Sequence, residues 1–219
     1  MAVFINHDKK IIVFTSYKVG YSTLYSQQSN GFKYLHYKIE WVIYKHLIKH
    51  FHYKKFMIIR HPYRRYLSLF NDKFRKQPKR ILEKLHKWEN VHLCMFPYLG
   101  LNVEDSDEEI AARFLKMSRE EFLTILPKVI DKDEHFQTQT TTKTYRLLKF
   151  INIPFKINKY FRIEDELGLL KEKIGVDFSI VKNKSGNTYQ TEQLSRKEKV
   201  ELDRIYAKDF PLGNYMKSI

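Results

Sequence analysis

The chain has 219 residues, 43% of them hydrophobic and 15% aromatic, with a formal net charge of +15 at pH 7 and a pI of about 9.6. Its single cysteine, Cys94, excludes an internal disulfide and a cysteine-rich zinc site. The size suits one ring-rich domain over residues 1–219, and the basic balance favours anionic partners: nucleic acid, acidic lipid, polyanionic glycans or a polyphosphorylated nucleotide. The plainer reading of the charge is that it is dispersed and aids solubility. No apolar run approaches the roughly 18 residues of a spanning helix and no signal peptide is visible, so a cytoplasmic location is expected, with at most peripheral membrane contact.

Residues 1–10 carry Asp8, Lys9 and Lys10 ahead of any long apolar stretch, and no element is assigned to them. Ile11–Thr15 reads as a buried strand, Ser22–Ser29 as the helix that follows, closed by Asn30-Gly31. Phe32–His36 is a short strand and Trp41–His50 a helix. Phe56–Arg60 is a second strongly apolar strand, after which Pro62 suits the first turn of a helix. Tyr63, Leu67, Phe70 and Phe74 recur at helical spacing and carry that helix to Phe74. Ser106, Ser118 and Ser195, each three residues before a glutamate, are capping boxes that start helices at Asp107, Arg119 and Arg196. Thr140–Phe150 is read as helical, Phe155–Arg162 as a third core strand and Glu164–Ile174 as a helix capped by Gly175. Alternating strands and helices imply an α/β fold, a P-loop-like three-layer arrangement with a mainly parallel sheet covered on both faces. Ligands of such sheets bind at the carboxyl ends of the strands.

Lys18 and Arg60 both fall at such ends. The segment Thr15–Leu24 runs from strand to helix through Lys18 and Gly20, which combines a fixed charge with backbone N–H groups able to meet an anion. In Arg60–Ser68, R-H-P-Y-R-R-Y-L-S, Arg60 leaves the strand, and Arg64, Ser68 and Asp72 share a helix face. A planar guanidinium fork with a nearby hydroxyl suits a phosphate; the plainer reading is an arginine paired with a carboxylate beside a solvated basic helix.

Taken together, strand–K-x-G-x-S/T–helix followed by strand–R-x-P-x-x-R-x-x-S–helix resembles the sulfotransferases that use 3′-phosphoadenosine-5′-phosphosulfate (PAPS). Tyr66–Phe74, Asp133–Gln139, Tyr160–Leu167, Asn183–Tyr189 and Leu194–Tyr215 extend the resemblance to the carbohydrate branch. The first loop departs from the common proline-lysine, with Tyr17 before the lysine and Tyr21 inside the loop. The resemblance implies that Lys18, Val19, Gly20, Tyr21, Ser22, Thr23 and Leu24 hold the 5′-phosphosulfate, and that Arg60 and Ser68 hold the 3′-phosphate. It also implies a hydroxyl acceptor on a carbohydrate or glycolipid, with no nucleic acid partner. Lys184 and Ser185, in a late basic loop, are candidates to close over the 3′-phosphate; the plainer reading is a solvated loop.

A Walker A loop needs G-x-x-x-x-G-K-[ST]; here the lysine precedes the glycine, which disfavours ATP chemistry. Lys18 is expected to relieve charge on the leaving phosphate, and no metal is expected to be required. The general base is open among His36, Glu40, His52 and His135. His36 ranks first because it ends a strand directed to the same edge as Lys18. His46 and His50 have i, i+4 spacing but no third metal ligand in sequence reach. Two other classes compete: a P-loop phosphotransferase, requiring magnesium-dependent ATP turnover, and a non-enzymatic polyanion or nucleic-acid binder, requiring salt-steep association. The second assigns no role to Lys18 and Arg60 at strand ends.

Overall fold

The computed structural model describes residues 2–27, 30–35, 40–83, 87–139, 157–178 and 194–217, without the side chains of residues 40–44. Short β-branched and aromatic runs build its sheet: β1 (Ala2–Asn6), β2 (Ile11–Thr15), β3 (Phe32–Leu35), β4 (Lys54–Ile59) and β5 (Lys159–Arg162). Among the described residues the strand order is β3-β1-β2-β4-β5. β2 pairs with β4, and β4 with β5, in parallel, whereas β1 runs antiparallel to both its neighbours. β2, β3, β4 and β5 therefore all point the same way.

Every residue of β1 and β2 is buried, because the sheet is covered on both faces. Phe4, Ile11, Val13, Phe56, Ile58 and Phe161 pack on one side with Leu24, Leu170 and Ile174. Val3, Ile5, Ile12, Phe14, Met57 and Ile59 pack on the other with Leu47 and Leu212. Alternation with period two sends successive residues to opposite cores. Each such side chain contributes on the order of 2 kcal/mol of burial. Leu24 and Leu47 come from α1 (Tyr21–Tyr25) and α2 (Glu40–Lys49), Leu170 and Ile174 from a later helix over Leu167–Ile174, and Leu212 from a 3-10 turn over Phe210–Gly213.

β1 lies within the first ten residues, to which the sequence reading assigns no element. Its A-V-F-I run is as apolar as β2, and it sits between two strands, where its amides complete two ladders.

The described residues fall into two compact units. The first comprises Met1–His61, Thr138–Gly186 and Lys208–Met216 and contains the sheet. The second comprises Pro62–Gln137, Asn187–Ala207 and Lys217–Ile219 and is helical. It holds α3 (Pro62–Asn71), a π turn over Asp72–Lys76, α4 (Gln77–Leu82), α5 (Asn90–Leu93), α6 (Phe96–Leu99), α7 (Asp107–Lys116) and α8 (Arg119–Val129). With Leu167–Ile174 as α9, its last helix is α10 (Arg196–Ile205).

The core of this unit is aromatic: Tyr66, Phe70, Phe74, Phe114, Phe122 and Phe136 stack or tilt against one another with centroids 5.0–6.5 Å apart. All three serine caps form, with Ser106, Ser118 and Ser195 accepting from the N–H groups of Glu109, Glu121 and Glu198. The box is reciprocal at Ser106 and Ser195. The Glu121 carboxylate instead engages Arg113.

The helix expected to run to Phe74 is α-helical to Asn71 and continues past Phe74 as the π turn, which begins at Asp72. The helix expected over Thr140–Phe150 lies outside the described residues, and the third core strand is described over Lys159–Arg162. α9 ends at Gly175 with φ 80°, as its glycine cap requires.

Candidate active site

β2 delivers Thr15 to a tight loop. The Thr15 hydroxyl donates to the Val19 carbonyl and to that of Ser16, which folds the main chain back on itself within five residues. Lys18 takes φ 64° and Gly20 φ 75°. For a lysine this left-handed conformation costs on the order of 1–2 kcal/mol. Glycine is needed at residue 20 for a second reason. A Cβ there would stand 2.9 Å from Phe178 Cε1 and 3.2 Å from Ile163 Cδ1. Val19 and Leu24 bury their side chains completely, and the Leu24 N–H is held by the Gly20 carbonyl at 3.1 Å. These two residues anchor the loop. Helical geometry leaves the first-turn N–H groups of Tyr21, Ser22 and Thr23 without intrahelical acceptors.

Arg60 follows β4 directly, on the same edge of the sheet. Its Nη1 donates to the Lys18 carbonyl at 3.0 Å, and its Nε lies 3.7 Å from Glu164 Oε1, with 26% of the arginine and 7% of the glutamate side chain exposed. The Arg60 backbone is clamped as well: its N–H donates to Gln139 Oε1 at 3.0 Å, and its carbonyl accepts from Gln139 Nε2 at 2.9 Å. Glu164 also accepts from the His61 N–H at 2.9 Å and from the Tyr215 hydroxyl at 3.2 Å. Burial, reinforced by the Glu164 charge, pushes the Tyr215 phenol well above its ordinary range, so it stays a donor. Asp209 fixes Gln139 in turn, accepting from its N–H at 2.7 Å. Arg60 is thus wired to the Lys18 loop and to a carboxylate, which gives substance to its plainer reading as a paired arginine.

Sequence reasoning missed Gln139, Glu164, Asp209 and Tyr215 as parts of this frame. They are 79 to 155 residues away from Arg60, and no local pattern links them. The available signal was that each lies in one of the segments Asp133–Gln139, Tyr160–Leu167 and Leu194–Tyr215.

Ser68 is half-buried on α3 in the second unit. Its neighbour Arg65 is buried and structural, donating from Nη2 to the carbonyls of His135, at 3.1 Å, and Gln137. His135, in the same unit, keeps its Nδ1 2.7 Å from the Asp133 carboxylate, which also accepts from Asn90 Nδ2 at 2.9 Å. Burial would raise the Asp133 carboxyl, but the His135 hydrogen bonds and charge outweigh it and hold it below the usual carboxylate range. The carboxylate fixes the ring's orientation.

His36, Lys184 and Ser185 lie outside the described residues, and Glu40 opens α2 with its side chain likewise outside them. His52 is exposed in the turn before β4. Since β2 and β4 are parallel, that turn is at the opposite edge of the sheet from Lys18, which removes His52 from the candidate bases. His7, His46, His50 and Tyr53 gather with it at that edge. Among the described residues no group of three His, Cys, Asp or Glu is arranged to hold a metal ion, and no helix is long and apolar enough to cross a membrane.

A lysine loop after β2 and an arginine after β4 are joined at the strand ends where parallel sheets bind ligands. The sulfotransferase family model matches residues 16–216, which starts at this loop and covers both units. The chain belongs to the sulfotransferase family. It is a sulfotransferase of family 2, and its fold is that family's P-loop-like α/β arrangement. Neither a curated relative nor a solved structure matches this sulfotransferase.

Proposed function

We propose that this sulfotransferase uses PAPS as its donor and moves the sulfuryl group to a hydroxyl of a carbohydrate or glycolipid. The reading is carried by the linked pair at the sheet edge, Lys18 in a strained loop and Arg60 bonded to its carbonyl, within a chain matched to the family over residues 16–216. The donor set fits the group: a flexible ammonium, a planar guanidinium and a turn of backbone N–H groups are complementary to a multiply charged phosphate. PAPS, when bound, supplies an activated sulfuryl group and leaves as 3′,5′-ADP.

In this reading Lys18 and the N–H groups of Gly20 to Thr23 hold the 5′ end, and Lys18 meets the negative charge that collects on the departing phosphate oxygen. Arg60 and Ser68, with Lys184 and Ser185 from the late loop, hold the 3′-phosphate. The acceptor hydroxyl gives its proton to a base as its oxygen bonds to sulfur. His36, Glu40 and His135 are the candidates, and His135 is the one with a described orienting carboxylate, Asp133. No metal is assigned a part in these steps. The protein is read as cytoplasmic, with the glycan or glycolipid as its second partner.

A screen of hydroxyl acceptors with radiolabelled PAPS tests the activity, and calorimetric titration with 3′,5′-ADP tests the donor site. Lys18→Ala is expected to abolish transfer, whereas Arg60→Ala chiefly weakens nucleotide binding. Unchanged 3′,5′-ADP affinity in Arg60→Ala would remove its assigned role. Magnesium-dependent ATP turnover, or salt-steep DNA binding with no affinity for 3′,5′-ADP, would replace the reading altogether.

A further inference from the structure

Beside the lysine loop the first unit contains a cavity of about 100 Å³ lined by Ala2, Ser16, Tyr17, Tyr21 and Tyr34. Its position follows from the topology. Ser16 is the first residue after β2, Tyr34 lies near the end of β3, and Ala2 begins the antiparallel β1. All three therefore meet at the edge of the sheet that carries Lys18.

The walls are polar at their tips and apolar in their bodies. Tyr34 packs edge-on to Tyr21 with centroids 5.7 Å apart and against Phe4 at 5.1 Å; Tyr25 stacks on the ring of Tyr21 at 5.7 Å. The Tyr21 and Tyr34 hydroxyls hydrogen-bond to each other. This packing holds the phenol rings in place before any ligand arrives, so little side-chain entropy remains to be lost on binding. Ser16 adds the second half of the pattern. It is 2% exposed, and its Oγ has no hydrogen-bond partner among the described residues. A buried hydroxyl left in that state costs about 1–3 kcal/mol, which a ligand bearing its own hydroxyls would relieve.

We propose that this cavity is an acceptor subsite that takes one edge of a pyranose ring, its C–H face against the tyrosines and a ring hydroxyl on Ser16 Oγ. The inference rests on the sulfotransferase reading above and assigns residues to its acceptor. A flat aryl acceptor would satisfy the rings but carries one hydroxyl, the one that reacts, and so offers Ser16 no second. A cavity well below the roughly 300 Å³ of a complete ligand pocket holds one sugar edge and leaves the rest of a glycan outside. Tyr17 precedes Lys18 directly, so a sugar held here is presented beside the residue assigned to the donor's reacting end.

Saturation-transfer NMR with methyl β-D-galactopyranoside, methyl β-D-glucopyranoside and p-nitrophenol as probes, each in the presence and absence of 3′,5′-ADP, tests the subsite. Saturation is expected on the ring C–H protons of at least one glycoside. Tyr34→Leu and Tyr17→Leu should weaken that signal about fivefold to tenfold, the worth of a lost aromatic face. Tyr34→Phe, which keeps the ring, should retain it, and Ser16→Ala should reduce it without changing which protons are saturated. Thermal melts of each variant separate loss of binding from loss of fold, and the paired Phe and Leu variants keep the comparison valid at residue 34. The proposal is overturned if the protein binds 3′,5′-ADP but no glycoside, if p-nitrophenol binds in preference to both, or if the leucine variants bind glycosides as the parent does. Glycoside binding through the tyrosines without any affinity for 3′,5′-ADP would keep the subsite and overturn the donor reading instead.

Discussion

Lys18 carries a cost in its backbone for its place in the loop, because φ 64° brings its Cβ against a carbonyl oxygen. Replacing it by alanine or by glycine removes the same charge but treats that strain differently. Both variants are expected to lose sulfate transfer, while Lys18→Gly should be about 1 kcal/mol more stable than Lys18→Ala in denaturant titrations. Gly20→Ala is the converse case. The new methyl meets Phe178 and Ile163 in a left-handed backbone, so the loop must shift, and both the melting temperature and nucleotide affinity should fall. His92 shows a residue whose chemistry is set chiefly by burial. It is fully buried between Phe74, Trp88 and Phe114, with Nε2 donating to the Lys73 carbonyl at 2.9 Å and Nδ1 accepting from the Glu89 N–H at 3.1 Å. Burial lowers its pKa to about 4. The unfolded chain, with an ordinary histidine near 6.5, therefore binds the proton first. Stability is intact above pH 6.5 and is lost as pH falls toward 4, by about 3 kcal/mol from this group. Denaturation midpoints measured across that window should show the loss, and His92→Gln should flatten it.

At the scale of single elements, the three serine caps show how far a local motif reaches. Each was legible in the sequence, because an N-cap bond spans only three residues and needs nothing from the rest of the chain. What the glutamate of each box does besides capping was not legible. Glu109 is exposed, Glu121 turns to Arg113, and Glu198 is 4% exposed with Oε1 2.9 Å from Arg119 Nε on α8. Glu198→Ala should therefore cost about 2 kcal/mol, since it leaves a guanidinium unmatched at a packed helix contact, and Glu109→Ala clearly less. Chemical denaturation of the two variants checks this, and equal losses would mean that the ion pair contributes nothing. The end of α3 teaches the opposite lesson. Tyr63, Leu67, Phe70 and Phe74 fit one helical stripe, yet the chain widens at Asp72 so that Phe74 and Arg75 can both be satisfied: Phe74 within the ring cluster, and Arg75 on the carbonyls of Phe114 and Met117. Periodicity cannot foresee a register change that is stabilised by distant carbonyls.

For the whole molecule, the donor reading makes a thermodynamic demand. A ligand that binds only the folded chain stabilises it by about 2.7 kcal/mol at a hundredfold excess over its dissociation constant. Saturating 3′,5′-ADP should therefore raise the melting temperature by several degrees, 5′-AMP should raise it less for want of the 3′-phosphate, and Arg60→Ala should narrow the difference between them. Added salt separates this effect from general attraction to a chain of charge +15, which weakens steeply as ions screen it. The sequence by itself determined the strands after residue 10, the helix starts at the serine caps, the glycine-capped end of α9, the strand-to-helix loop at Lys18 and the family to which the chain belongs. These depend on neighbours within a few residues, or on the order of short motifs along the chain. Only the tertiary structure decided that β1 lies inside the sheet, that His52 faces away from the site, and that Gln139, Glu164, Asp209 and Tyr215 lock Arg60 to the Lys18 loop. It also decided that Ser16, Tyr17, Tyr21 and Tyr34 enclose a cavity. Strand order, strand direction and buried polar pairing arise from contacts between residues far apart in sequence, where burial and hydrogen-bond satisfaction outweigh local preference.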